Sequence, residues 1–148
     1  MATTMKIKEL LDTLLGMDGV FILRNGIGSM ELHGEDFYLS AYQEWLTVYH
    51  ETTPRSPESR SHLHLRWQTL KSAEIREEAG HTSHLAFFDT PEPAVPGGDE
   101  SPLVWYFPSF YNWSNNKAEI PENLALYNAF IEQYGTTLQF VEPSPDDS

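Results

Sequence analysis

Cysteine is absent from the 148 residues, which excludes disulfides, thiolate metal centres and cysteine nucleophiles. Basic residues are scarce as well: nine lysines and arginines stand against 22 acids, for a formal net charge of -13. With no basic surface to displace phosphate counterions, nucleic acid is not an expected partner. An anionic bilayer surface is disfavoured on the same electrostatic ground. No apolar run approaches the roughly 18 residues that span a membrane, and Met1 to Lys8 shows no apolar leader core. Together with the missing thiols, this makes the cytoplasm the expected setting. Nor is there a glycine-rich phosphate loop, a paired-carboxylate signature or a serine elbow.

What remains is enough to fold. A hydrophobic content of 40% with 13% aromatics supports a packed core, and a chain of this length is expected to form one domain, residues 1–148. Thr4 reads as an N-cap, and Ile7, Leu10, Leu11, Leu14 and Leu15 follow at helical spacing, with Gly16 and Gly19 closing that segment (1–17). Apolar runs at 20–23 and 27–32 flank Asn25-Gly26, a hairpin turn signature, with Gly28 as a candidate bulge. Further strands are expected at 37–42, 45–50, 61–67, 70–76, 82–88, 103–107 and 136–140. Segments 51–60 and 89–102, rich in proline, serine and glycine, read as loops, as does the aromatic, amide-rich stretch 110–116. A second helix is expected from Pro121, lining up Leu124, Tyr127, Ile131 and Tyr134, with Gly135 as its C-cap. The last residues, 141–148, are expected to fray. The class is therefore α+β: a large antiparallel β-sheet of seven or eight strands between an N-terminal and a C-terminal helix, spanning 18–140 after the first helix.

One stretch concentrates the chemistry. In an extended segment alternate side chains share a face, so His62, His64 and Arg66 form a polar row while Leu63, Leu65 and Trp67 point to the core. Imidazole is the natural ligand for a transition metal and a guanidinium for a carboxylate. The bland reading is a half-wet sheet face. His33 and His81, beside or within turns, read as solvated loop residues.

The order and spacing of several segments carry a resemblance. Asp18-Gly-Val-Phe-Ile-Leu-Arg-Asn-Gly with Met30-Glu-Leu-His-Gly resembles the opening hairpin of the bacterial cytosolic haem-utilisation proteins of the HemS/ChuX type. Trp45-Leu-Thr-Val-Tyr, His62-Leu-His-Leu-Arg and Ala73-Glu-Ile resemble their next strands. His84-Leu-Ala-Phe-Phe-Asp, Leu103-Val-Trp-Tyr-Phe and Leu124-Ala-Leu-Tyr-Asn-Ala-Phe resemble the closing strands and final helix. The likeness runs from about Asp18 to Thr137, and this chain resembles a single-repeat member.

That resemblance implies a haem-binding protein of intracellular iron utilisation, a carrier or store, with degradation as a further possibility and a homodimer as the expected assembly. Within it His64 falls on a histidine position of the family's strand pattern and is the implied iron ligand, with His62 beside it. Arg66 is the implied partner of a propionate, or else of Glu74 or Glu44 in a salt bridge. Arg24 is a propionate or distal contact, or else an edge-strand charge. Tyr106 is a possible ferric ligand within an aromatic set of Trp105, Phe107, Phe110, Tyr111 and Trp113 that would wall a macrocycle or simply fill the core. Two other classes stay open. One is a module for another tetrapyrrole, a small ligand or a protein partner on the same fold. The other is a His62-x-His64 metal enzyme, weakened because Gln68 stands where a carboxylate ligand would be wanted.

Overall fold

The structure, a computed structural model, describes residues 2–24, 27–34, 37–50, 62–77, 82–93, 101–112, 114 and 118–142. Helix α1 (Ile7–Leu14) is preceded by strand β1 (Thr3–Lys6). Strands β2 (Gly19–Arg24), β3 (Ser29–Gly34), β4 (Phe37–Tyr42), β5 (Trp45–His50) and β6 (His62–Arg66) follow, then a 3₁₀ turn at Trp67–Thr69. Next come β7 (Ser72–Arg76), β8 (His84–Phe88), β9 (Leu103–Tyr106), β10 (Tyr111–Asn112) and β11 (Ala118–Glu119). Helix α2 (Pro121–Tyr134) and β12 (Thr137–Val141) end the described chain.

Seven strands build one sheet in the order β1-β12-β7-β8-β9-β2-β3, and β4-β5-β6 form a second sheet of three. The α+β class holds, with one addition: β1 lies parallel to β12, so the large sheet is mixed rather than wholly antiparallel. Thr4 therefore does not cap α1. Its backbone pairs with Gln139, and the helix starts three residues later with Lys6 at its N-cap. Pairing with the last strand satisfies backbone groups that a longer helix would otherwise have satisfied internally. The loop expected at 110–116 contains a short rung, Tyr111 and Asn112 against Glu119 and Ala118.

The two sheets meet through one core. Leu46, Val48 and Leu65 of the small sheet, Phe21, Leu85, Phe87, Leu103 and Trp105 of the large one, and the Ile7, Leu10, Leu11 and Leu14 stripe of α1 belong to one buried cluster. Helix α2 adds Tyr127 and Phe130, with Leu124, Ile131 and Tyr134 half-buried. Phe130, outside the expected stripe, packs edge-on to Phe107 with ring centroids 5.2 Å apart. Gly135 closes the helix with a φ of 77°, a left-handed conformation that glycine adopts without a Cβ penalty. The expectations for Asn25-Gly26, 51–60, 78–81, 94–100, Trp113 and 143–148 lie outside the described residues. Gly28 precedes β3 rather than bulging within it.

Candidate functional site

The small sheet displays the sequence alternation directly. Strand β6 exposes His62, His64 and Arg66, buries Leu65 and half-buries Leu63. Trp67 is buried too, one residue past the strand, with its indole N–H donating to the Gln43 carbonyl at 3.3 Å. Antiparallel register places Trp45 opposite Arg66, Thr47 opposite His64 and Tyr49 opposite His62. Cross-strand neighbours share a face. The outer side of the sheet is thus a plate of aromatic and imidazole rings.

Within that plate the His62 and His64 rings lie 4.7 Å apart, centroid to centroid, at an interplanar angle of 74°. The Thr47 hydroxyl is 2.9 Å from His64 Nδ1. Tyr49 sits 5.5 Å from the His62 ring and Trp45 6.1 Å from the His64 ring. The Arg66 guanidinium stacks 4.9 Å over Trp45, a cation–π contact. Glu74 is not its partner, being engaged by Arg76 Nε at 3.0 Å on the other sheet.

Two clefts flank the imidazole pair. On the His64 side a shallow hollow of about 390 Å³ is lined by Ser40, Tyr42, Trp45, Thr47 and Tyr49. On the His62 side, between the β2–β3 hairpin and the edge of β6, an apolar groove of about 360 Å³ is lined by Phe21, Leu23, Met30, Leu32 and Leu63, with Glu31 as its acid. A second hollow of about 360 Å³ shares Leu23 and Met30 with it and is lined by Arg24 and Ile27 as well. Either volume falls within the range of ligand clefts, ~300–1,000 Å³.

Arg24 lines the second hollow rather than the groove. Along β2 it alternates onto the face of Val20 and Ile22, the latter packed with Val104 and Tyr106, and its Nε donates to the Ser101 carbonyl at 2.7 Å. Tyr106 lies outside the groove. It alternates with the buried Trp105, so it projects from the far side of the large sheet, where its ring lies 4.8 Å from His84. The core separates it from His62 and His64. The expected aromatic wall is likewise mostly core: Trp105, Phe107 and Phe110 are buried.

The sequence matches no protein-family model and no curated protein. The fold decides more. Two solved structures of ChuX, one described as a haem-binding protein, align with it at TM-scores of 0.56 and 0.57. They cover 86% and 85% of this chain and 71% and 70% of theirs, at 11% and 12% identity. The chain has a ChuX-like fold.

That fold is shared although few side chains are. The residues on the outer plate and in the groove are this chain's own, and their chemistry is what the ChuX-like scaffold presents here. Sequence reading singled out β6 but not Thr47, Trp45 and Tyr49, although the same alternation in 45–49 puts those three on one face. Their role depends on register against β6, which no local pattern specifies. Among the described residues no group of three or more His, Asp or Glu is placed to hold a metal, and no helix is long and apolar enough to cross a membrane.

Proposed function

We propose that this chain binds haem, or another flat tetrapyrrole, in the groove between the β2–β3 hairpin and β6, as a cytoplasmic carrier or store. The observation that carries the reading is an apolar groove with His62 in its lining and a second imidazole, His64, 4.7 Å away ring to ring. A porphyrin needs apolar walls, an axial nitrogen and cations for its carboxylates. Phe21, Leu23, Met30, Leu32 and Leu63 supply the walls. His62 lines the groove and His64 lines the neighbouring hollow, so the ligand role passes from His64 to His62, with His64 as the adjacent imidazole. Arg24, in the adjoining hollow, and Arg66, on the His62 and His64 face, are the bases offered to the propionates. When bound, haem would supply the iron centre.

The same reading pairs two copies of the chain. Leu23, Ile27 and Met30 are 41%, 97% and 77% exposed at the tip and edge of the β2–β3 hairpin, and an edge strand with apolar neighbours favours pairing. Glu31 in the groove supports a second occupant class, a flat ligand without carboxylates.

A haemin titration tests the proposal. One equivalent per chain with a saturable Soret change is expected, and His62→Ala should shift that spectrum while leaving the unfolding transition in place. A featureless titration, or spectra unchanged in both His62→Ala and His64→Ala, would overturn it. Light scattering across the titration reads the mass of the assembly.

A further inference from the structure

The distance between the two imidazoles points to an activity that does not depend on haem. We propose that His62 and His64 form a bidentate clamp for a divalent transition-metal ion, with Cu(II) the best-suited ion, on the outer face of the small sheet.

The geometry is restrictive. A metal bound at about 2.0 Å from a ring nitrogen sits about 3.1 Å from the ring centroid. Two centroids 4.7 Å apart then subtend roughly a right angle at an ion held by both. That is the cis arrangement of a tetragonal site, the geometry that Cu(II) prefers with nitrogen and oxygen ligands, and Cu(II) also heads the divalent affinity series. Both histidines are exposed, so an ion held between them is reached directly from solvent.

His64 is further prepared by Thr47. When Nδ1–H donates to the Thr47 hydroxyl, the lone pair of Nε2 points outward, the tautomer a metal requires. A partner that orients the ring in advance removes part of the cost of binding. The remaining coordination positions fall to water, since no third carboxylate or imidazole is clustered there among the described residues. The net charge of -13 concentrates cations around the protein. Two chelating imidazoles on adjacent positions of one rigid strand make the second bond intramolecular, so losing either one removes more than half of the affinity.

The experiment is a titration of haem-free full-length chain with Cu(II) buffered by glycine, followed by fluorescence quenching and electron paramagnetic resonance. One Cu(II) per chain is expected, with nitrogen hyperfine structure from two imidazoles. His62→Ala and His64→Ala should each weaken binding by about tenfold or more, and the double variant sets the background of all other sites. Loss in only one variant, a one-nitrogen spectrum, or affinities within threefold of the parent in both would overturn the clamp. Both side chains are exposed, and thermal unfolding of each variant checks that the fold persists. No haem is present, so failure here leaves the haem reading standing, and failure of the haemin titration leaves the clamp standing.

Discussion

Thr47 and His64, 17 residues apart in sequence, are joined across β5 and β6 by a 2.9 Å contact between the threonine hydroxyl and Nδ1. Thr47 is 7% exposed although it lies on the outer face, because the rings of Trp45, Tyr49 and His64 surround it. A buried hydroxyl with one imidazole partner both satisfies itself and fixes the ring. Thr47→Val keeps the shape and removes the bond. Metal affinity at His64 should fall by about tenfold or more, the lower end of the usual loss when an orienting partner is removed. Stability should change by only ~1 kcal/mol, the usual net worth of such a bond. Copper titration and urea unfolding on the same variant separate the two effects.

The two faces of β6 should answer mutation differently. Leu65 is 6% exposed in the core cluster, and Leu65→Ala is expected to cost ~2–5 kcal/mol through lost transfer energy and a cavity. His64→Ala removes an exposed side chain together with its bond to Thr47 and should cost only ~1 kcal/mol. Chemical denaturation of the pair reads the difference, and equal losses would mean that His64 supports the fold rather than a ligand.

How much of this was legible beforehand depends on which interactions are local. The alternation in His62–Arg66 and the 3.6-residue stripe of α1 are set by neighbours in sequence, and both appear as expected. Gly135 is local too, since a helix end needs a residue tolerant of positive φ. Parallel pairing of β1 with β12 joins the two ends of the described chain, and no short pattern encodes it, so Thr4 read as a cap. Tyr106 was grouped with His64 by aromatic character alone. Its face is fixed by pairing with His84 and Val20, which places it beyond the core. The groove illustrates the same limit: Met30 and Leu63 come from separate sheets and meet only when those sheets pack.

Gly19 opens β2 against the indole of Trp105. A Cβ there would overlap the Trp105 ring and approach the Tyr106 carbonyl to 2.6 Å. Trp105 is fully buried, so the ring has no free volume into which to retreat. Gly19→Ala is expected to destabilise the chain by ~1–3 kcal/mol, the usual cost of overpacking. Gly16, where an added Cβ would meet only the Thr13 carbonyl at an ordinary 3.7 Å, serves as the control and should tolerate alanine. The comparison is made by urea midpoints at constant slope.

Tyr127 couples stability to alkaline pH. Its ring is buried against Phe107 and Phe110, with centroids 5.0 and 5.1 Å away, and its hydroxyl donates to Glu77 at 2.9 Å. Burial pushes the phenol above its usual value, the bond to Glu77 and that carboxylate's charge push the same way, and a hydrogen bond with Ser83 opposes them. A group that holds its proton more tightly when folded contributes stability that is complete below the unfolded value, about pH 10, and is lost as pH rises through the higher folded value. Tyr127→Phe lacks both the hydrogen bond and the ionisation. At neutral pH it should be less stable by ~0.5–1.5 kcal/mol. Urea unfolding repeated from neutrality to above pH 10 should show the gap between parent and variant closing as the parent loses the phenol's contribution; a gap that stays constant would mean that Tyr127 does not titrate with unfolding.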